Sequence, residues 1–137
     1  MSKDWVKDIN EMQAKYKTHD WMQTADVNQL KAFLRFRVDF LEEELTETRN
    51  AQKVIDSEEI VDGLVDLCVV AIGTLDAFGV DPYKAWDAVL EANMAKSPGV
   101  KEGRPNPLGL PDLMKPEGWT APSHEGNHGI LPKLKGE

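Results

Sequence analysis

Between Val27 and Asn50, Leu30, Leu34, Val38, Leu41 and Leu45 recur every three or four positions, a spacing that predicts a long helix with one face on a core. Residues 57–78 follow a different pattern. Ile60, Leu64, Leu67, Cys68, Ala71, Leu75 and Phe78 cover one side, and Val61, Val65 and Ile72 cover part of another. A helix apolar over so much of its circumference is expected to be central, and since four helices of this size can hardly surround it, a second copy is expected to. Residues 3–17, with Trp5, Ile9, Met12 and Tyr16 at helical spacing, predict a short amphipathic helix in which Trp5 and Tyr16 pack. His19-Asp20-Trp21 reads as a break after it. Asp26 is the expected N-cap of the long helix, and Asp56 or Ser57 that of the next, which Gly79 stops. Asp81-Pro82 opens a last helix over about 82–96, with proline in the first turn, and Ser97-Pro98-Gly99 ends it.

Beyond residue 97 the chain changes character: seven of the eight prolines and seven of the ten glycines lie there. That predicts an extended, irregular arm. Leu108, Leu110, Leu113, Met114, Trp119 and Ile130 give it something to bury, so it is expected to pack on its own domain or on a neighbouring subunit. The predicted fold is therefore all-α, a bundle of four to five helices over residues 1–97 that oligomerises, with the arm over 98–137. No segment alternates for long as a strand does.

Charge narrows the function. The net formal charge is −8, and nine acids fall within residues 42–66 against Arg49 and Lys53. Such a balance argues against a nucleic-acid backbone as partner. The N-terminus lacks a signal peptide's apolar stretch and no apolar run is as long as a membrane span, so a cytoplasmic protein without a membrane partner is expected. The one cysteine, Cys68, sits among Leu67, Val69 and Val70 and reads as a buried, inert thiol.

Within the acidic stretch, Glu44/Glu47 and Glu59/Asp62 are each spaced i, i+3, so each pair projects from one face of its helix. Brought together across a helix contact, they gather four hard oxygen ligands that repel one another until cations fill the space. Mg²⁺ suits such a site, with phosphate chemistry its commonest use. On a helical wheel Glu44 is the member of Glu42-Glu43-Glu44 most clearly turned inward, and Glu59, Asp62 and Asp66 share a stripe with Gly73. A charge run is more often a solvated face, and Asp56 with Glu59 also satisfies a capping box; two matched pairs beside apolar residues outweigh those readings. Arg37 falls near the sector of Glu44, where it can pair with it or meet phosphate. Lys96 can supply a cation to the outer phosphates or answer the helix dipole.

Glu43-Glu44-Leu45-Thr46-Glu47 followed by Glu59-Ile60-Val61-Asp62 resembles the EExxE…ExxD signature of MazG-like, all-α nucleoside triphosphate pyrophosphohydrolases. Asn93-Met94-Ala95-Lys96 resembles the asparagine–methionine–lysine end of that family's last helix, and Lys115-Pro116-Glu117-Gly118-Trp119 a tail element of its phage-type members. The resemblance covers about residues 28–122. The eleven residues between Glu47 and Glu59 are at the short end of the family's range, which implies a tight interhelical connection.

The resemblance implies hydrolysis of a nucleoside triphosphate, a (deoxy)purine one such as dGTP, to the monophosphate and pyrophosphate. It implies two or more Mg²⁺ ions, with Mn²⁺ able to substitute, held by Glu44, Glu47, Glu59 and Asp62. Glu43, Glu44 and Glu47 become the catalytic acids, with Glu43 in the outer shell or acting as base on water. Asp66 is expected one turn beyond the ligands, in an outer shell or solvated. Asn93, Lys96 and Arg37 are expected to bind phosphate, and Asn10, Gln13 and Trp21 the base. A homodimer or homotetramer is expected. Phosphoribosyl-ATP pyrophosphohydrolase, of the same helical plan, offers an alternative activity, and a non-catalytic acidic interaction module a different class. A di-iron carboxylate bundle is disfavoured, because the one Glu-x-x-His spacing, Glu125…His128, lies in the glycine-rich tail.

Overall fold

The structure is a computed structural model that describes residues 3–135. It is all-α in plan, with five helices: α1 (Trp5–Lys15), α2 (Thr18–Thr24), α3 (Val27–Val54), α4 (Ser57–Ala77) and α5 (Pro82–Met94). A two-stranded antiparallel ribbon, β1 (Ser97–Gly99) with β2 (Asp112–Met114), and a closing 3₁₀ turn (Leu131–Lys135) complete the elements. Among the described residues no single helix is long and apolar enough to cross a membrane.

The helix ends follow local chemistry. Asp26 accepts from the Gln29 amide while the Gln29 side chain accepts from the Asp26 amide, a complete capping box on α3. Asp56 caps α4 through the Glu59 amide. At the other end of α4, Gly79 takes φ +76 and the amides of Gly79 and Val80 return to the carbonyls of Asp76 and Leu75, a Schellman stop. His19-Asp20-Trp21 is not a break, contrary to expectation, but lies within α2. The break lies two residues earlier, at Lys17, whose left-handed backbone (φ 60) separates α1 from α2.

The α3–α4 connection uses the same stop without glycine. Ile55 sits at φ 53, with the Ile55 and Asp56 amides closing on the carbonyls of Gln52 and Ala51. A β-branched residue in that region costs about 1–2 kcal/mol, and Ile55 is exposed. Ile55→Gly is therefore expected to raise the melting temperature by a few degrees, even after glycine's greater chain entropy. An unchanged or lower melting point in a thermal scan would contradict this.

The chain forms two compact units, one from residues up to Pro82 together with those from His128 on, the other from Tyr83 to Asn127. The compositional border at residue 97 thus falls inside the second unit. In the first, Phe78 is 1% exposed and packs with Met22, Leu30 and Ala77; Phe33, Leu34, Ile130, Leu131 and Leu134 complete the cluster. The end of the chain is tied in by the Ile130 amide donating to the Phe78 carbonyl (2.9 Å).

Within one chain α4 is not enclosed. Val61, Leu64 and Val65 are exposed, and so is Cys68, which was expected to be buried. Trp5 and Tyr16 are exposed too, rather than packed. The periodicity identified α4 as apolar on two sides, but the chain covers only one of them.

Candidate active site

The acids are brought together by antiparallel packing of α3 on α4, and two glycines set how close the helices come. A Cβ on Gly63 would collide with the Thr48 hydroxyl, and one on Gly73 would lie 2.7 Å from Nη2 of Arg37. Arg37 fastens the second point: Nε donates to the Thr74 hydroxyl (3.0 Å) and Nη2 to the Val70 carbonyl (3.1 Å). Its guanidinium also lies 5.8 Å from the Phe33 ring centroid. Burial lowers its proton affinity, though a guanidinium keeps its charge.

Between these two contacts Glu44 and Asp66 line one cleft of about 230 Å³, together with Met12, Gln13, Arg37, Phe40, Val69, Val70 and Gly73. Glu44 is 9% exposed. Its pKa is raised, first by burial and then by the charges of Asp66, Glu47, Glu43 and Asp62. Five acids thus act on one small region, and among the described residues none of them forms an ion pair with a lysine or arginine. The arrangement is electrostatically unsatisfied.

α1 supplies the cleft's polar wall through a network centred on Asp76, whose side chain is nine-tenths buried. Asn10 Nδ2 donates to one carboxylate oxygen (2.7 Å), while His19 Nε2 meets the other (2.6 Å). Gln13 Nε2 donates to the Gly73 carbonyl (2.7 Å) and more weakly to Asp76 (3.5 Å). Both partners of the Gln13 amide can only accept, so its orientation is chemically fixed. The Gln13 side-chain oxygen has no protein partner, yet no polar side-chain atom among the described residues is both buried and unpartnered. That oxygen therefore retains some accessible surface, and the cleft is what Gln13 lines.

The expected site residues are gathered only in part. Arg37, Glu44 and Gln13 share the cleft, and Glu43, Glu47 and Asp62 act on Glu44 through their charges. Glu59 is exposed in the first turn of α4 and is not among the charges acting on Glu44. Asn10 is committed to Asp76. Trp21 lines a separate, open cleft with Tyr16, Lys17, Thr18, Asp20, Thr24 and Phe33, its ring 5.5 Å from that of Phe33. Asn93 and Lys96 belong to the second unit. Asp66, expected at the margin, is the strongest charge on Glu44; its place on the Glu59–Asp62–Gly73 stripe was the available signal. Nothing in the pattern pointed to Asp76. Among the described residues no three His, Cys, Asp or Glu side chains stand in position to hold a metal ion.

The model of the phosphoribosyl-ATP pyrophosphohydrolase family matches residues 13–93, a span that takes in α3, α4, all of the acidic cleft's lining but Met12, and most of α5. The chain belongs to this family, within the MazG-like all-α nucleoside triphosphate pyrophosphohydrolases. Family membership supports pyrophosphohydrolase activity on a nucleotide. No curated protein matches the chain.

Proposed function

We propose that the protein hydrolyses a nucleoside triphosphate to the monophosphate and pyrophosphate, using Mg²⁺ or Mn²⁺ in the α3–α4 cleft. The observation that carries this reading is the buried Glu44 under the charges of four other acids, none of them ion-paired among the described residues. Hard carboxylate oxygens in excess suit hard divalent cations. The ions, two or more, would be held by Glu44, Glu47, Glu59 and Asp62, with Asp66 as a fifth acid. Bound there, they supply neutralisation of the phosphates and a water of lowered pKa.

The chain's own residues do the rest. Arg37 adds a cation to the cleft and is held in place by Thr74 and Val70. Met12, Phe40 and Val69 give the cleft apolar walls that limit water. Glu43, exposed beside the cluster, takes the proton of the attacking water. Gln13 presents an oxygen acceptor for a base N–H; each common base carries one, and guanine offers two side by side, N1–H and N2–H, in keeping with a (deoxy)purine substrate such as dGTP. Asn10 holds Asp76, and through it the Gln13 amide, while Trp21 offers a stacking face on α2. Asn93 and Lys96 are the phosphate-binding candidates of the second unit. Phosphoribosyl-ATP is a second candidate substrate, favoured by the description of the matching family.

The exposed stripe Val61, Leu64, Val65 and Cys68 on α4 suits a second copy of the chain, as a homodimer or homotetramer. A cytoplasmic setting suits a nucleotide substrate.

Linkage separates this reading from an acidic interaction module. Saturating Mg²⁺ is expected to raise the melting temperature by several degrees, since ligand at about 100 Kd adds about 2.7 kcal/mol. Asp66→Asn is expected to cut that increment by half or more and to lower turnover by at least about tenfold. A melting point indifferent to millimolar Mg²⁺ would make the acids a surface charge and overturn the metal site.

A further inference from the structure

The Asp76 carboxylate is not among the charges acting on Glu44, yet three side chains from two helices converge on it. The left-handed joint at Lys17 turns the chain from α1 into α2, so that Asn10 and Gln13 of the first and His19 of the second reach one group on α4. Only 9% of the Asp76 side chain is exposed, and among the described residues no lysine or arginine pairs with it. An ionised carboxylate can only accept, so His19 Nε2 carries the hydrogen of their 2.6 Å bond. The imidazole is thus the titratable group set against this buried acid.

The distances record a competition for Gln13. Its Nε2 donates to the Gly73 carbonyl at 2.7 Å but stands 3.5 Å from Oδ2 of Asp76, the outer limit of a hydrogen bond. An ionised carboxylate is ordinarily the stronger acceptor of the two, because charge assistance roughly doubles the strength of a hydrogen bond. It loses here because His19 already holds Oδ2 at 2.6 Å, while Asn10 holds Oδ1 at 2.7 Å. Without His19, Oδ2 would draw the Gln13 nitrogen off Gly73, and the oxygen of the same planar carboxamide would turn with it. That oxygen is the acceptor offered to the nucleobase under the proposed function. His19 is not among the residues lining the Glu44 cleft, so a change there leaves the lining itself intact.

We propose that His19 is a positioning residue for base selection: by occupying Asp76 it keeps the Gln13 carboxamide on the Gly73 carbonyl, with its oxygen presented to the base. The consequence for selectivity rests on the pyrophosphohydrolase reading; the placement of Gln13 does not, and the full-length protein tests the two separately. Without metal or nucleotide, the side-chain NH₂ resonances of Gln13, identified by their loss in Gln13→Leu, should move in His19→Leu. They should return in His19→Gln, whose amide can still donate to Asp76. In turnover with Mg²⁺, His19→Leu should lower the kcat/KM ratio of dGTP to dATP roughly 5–10-fold, through KM, with kcat changed less than about twofold. His19→Gln should restore most of that ratio, whereas a merely structural role would act on both nucleotides alike. If the wild type turns over no nucleotide, the proposed function falls, and the Gln13 resonances alone decide whether His19 places that side chain. Resonances unmoved in folded His19→Leu, a wild type that turns nucleotides over without preferring dGTP, or a preference that His19→Leu keeps would overturn the proposal.

Discussion

Glu44→Gln is expected to make the metal-free protein more heat-stable at neutral pH while removing its turnover. The fold raises the proton affinity of Glu44 through burial and through Asp66, Glu47, Glu43 and Asp62. The native state therefore binds this proton more tightly than the unfolded chain does. The resulting stability is fully present below the unfolded pKa and is lost as pH rises through the raised native value; above it, the buried charge remains a constant penalty. Glutamine keeps the shape and has no charge to bury. Its advantage over wild type should accordingly be absent in acid, appear as the wild-type carboxylate ionises, and persist at neutral pH as a gain of a few degrees. Magnesium should reverse the order, stabilising wild type and leaving the variant nearly unmoved. Turnover should fall by about 10²-fold or more, as expected when a ligand of the reaction's charge-stabilising ions is lost. Melting curves across pH, with Mg²⁺ and with EDTA, check each part. A variant less stable than wild type in EDTA at neutral pH would contradict the account.

The largest loss of stability is expected from Gly129→Ala. Gly129 sits at φ +54, and a Cβ there would run into the carbonyl oxygen of Phe78 and lie 2.8 Å from the carbonyl carbon of Gly79. These are backbone atoms of an α4 terminus already fixed by its Schellman hydrogen bonds, so little can give way. The segment must move instead, losing the Ile130–Phe78 hydrogen bond and the packing of Ile130, Leu131 and Leu134 around Phe78. A cost of about 3 kcal/mol follows, or roughly 10 °C in melting temperature. Gly126→Ala makes the comparison sharp: its φ is +77, but nothing stands within 4 Å of the added carbon. It should cost only the local strain, about 1–2 kcal/mol. Equal effects of the two substitutions would show that residues 128–135 do not brace Phe78.

The same contrast between local and tertiary determinants explains what could be read from the sequence. Asp26, Asp56 and Gly79 carry local chemistry, and each marks a helix end where it was expected. The i, i+3 acids likewise declared a shared face before any partner helix was known. What the pattern lacked was register. Asp62 and Asp66 lie on one stripe, and only the close approaches at Gly63 and Gly73 decide that Asp66 faces the Glu44 cleft while Glu59 lies near the interhelical turn. Asp76 had no local signal, because its partners Asn10, Gln13 and His19 stand 57 or more residues away in the chain. Cys68 was misjudged for the reciprocal reason: apolar neighbours in sequence do not supply a covering surface in space. The short helix α2 was missed because the interruption lies in the backbone of Lys17, a residue type that does not advertise it.

The central claim is tested most directly by pyrophosphate release. Common ribo- and deoxyribonucleoside triphosphates and phosphoribosyl-ATP would each be incubated with the protein, in Mg²⁺ and in EDTA, beside Glu47→Gln. The account predicts metal-dependent pyrophosphate in equal amount to the monophosphate, fastest with guanine nucleotides, whose two adjacent N–H donors suit the Gln13 acceptor, and abolished in the variant. Release of orthophosphate instead, release that persists in EDTA, or no product from any nucleotide would contradict it.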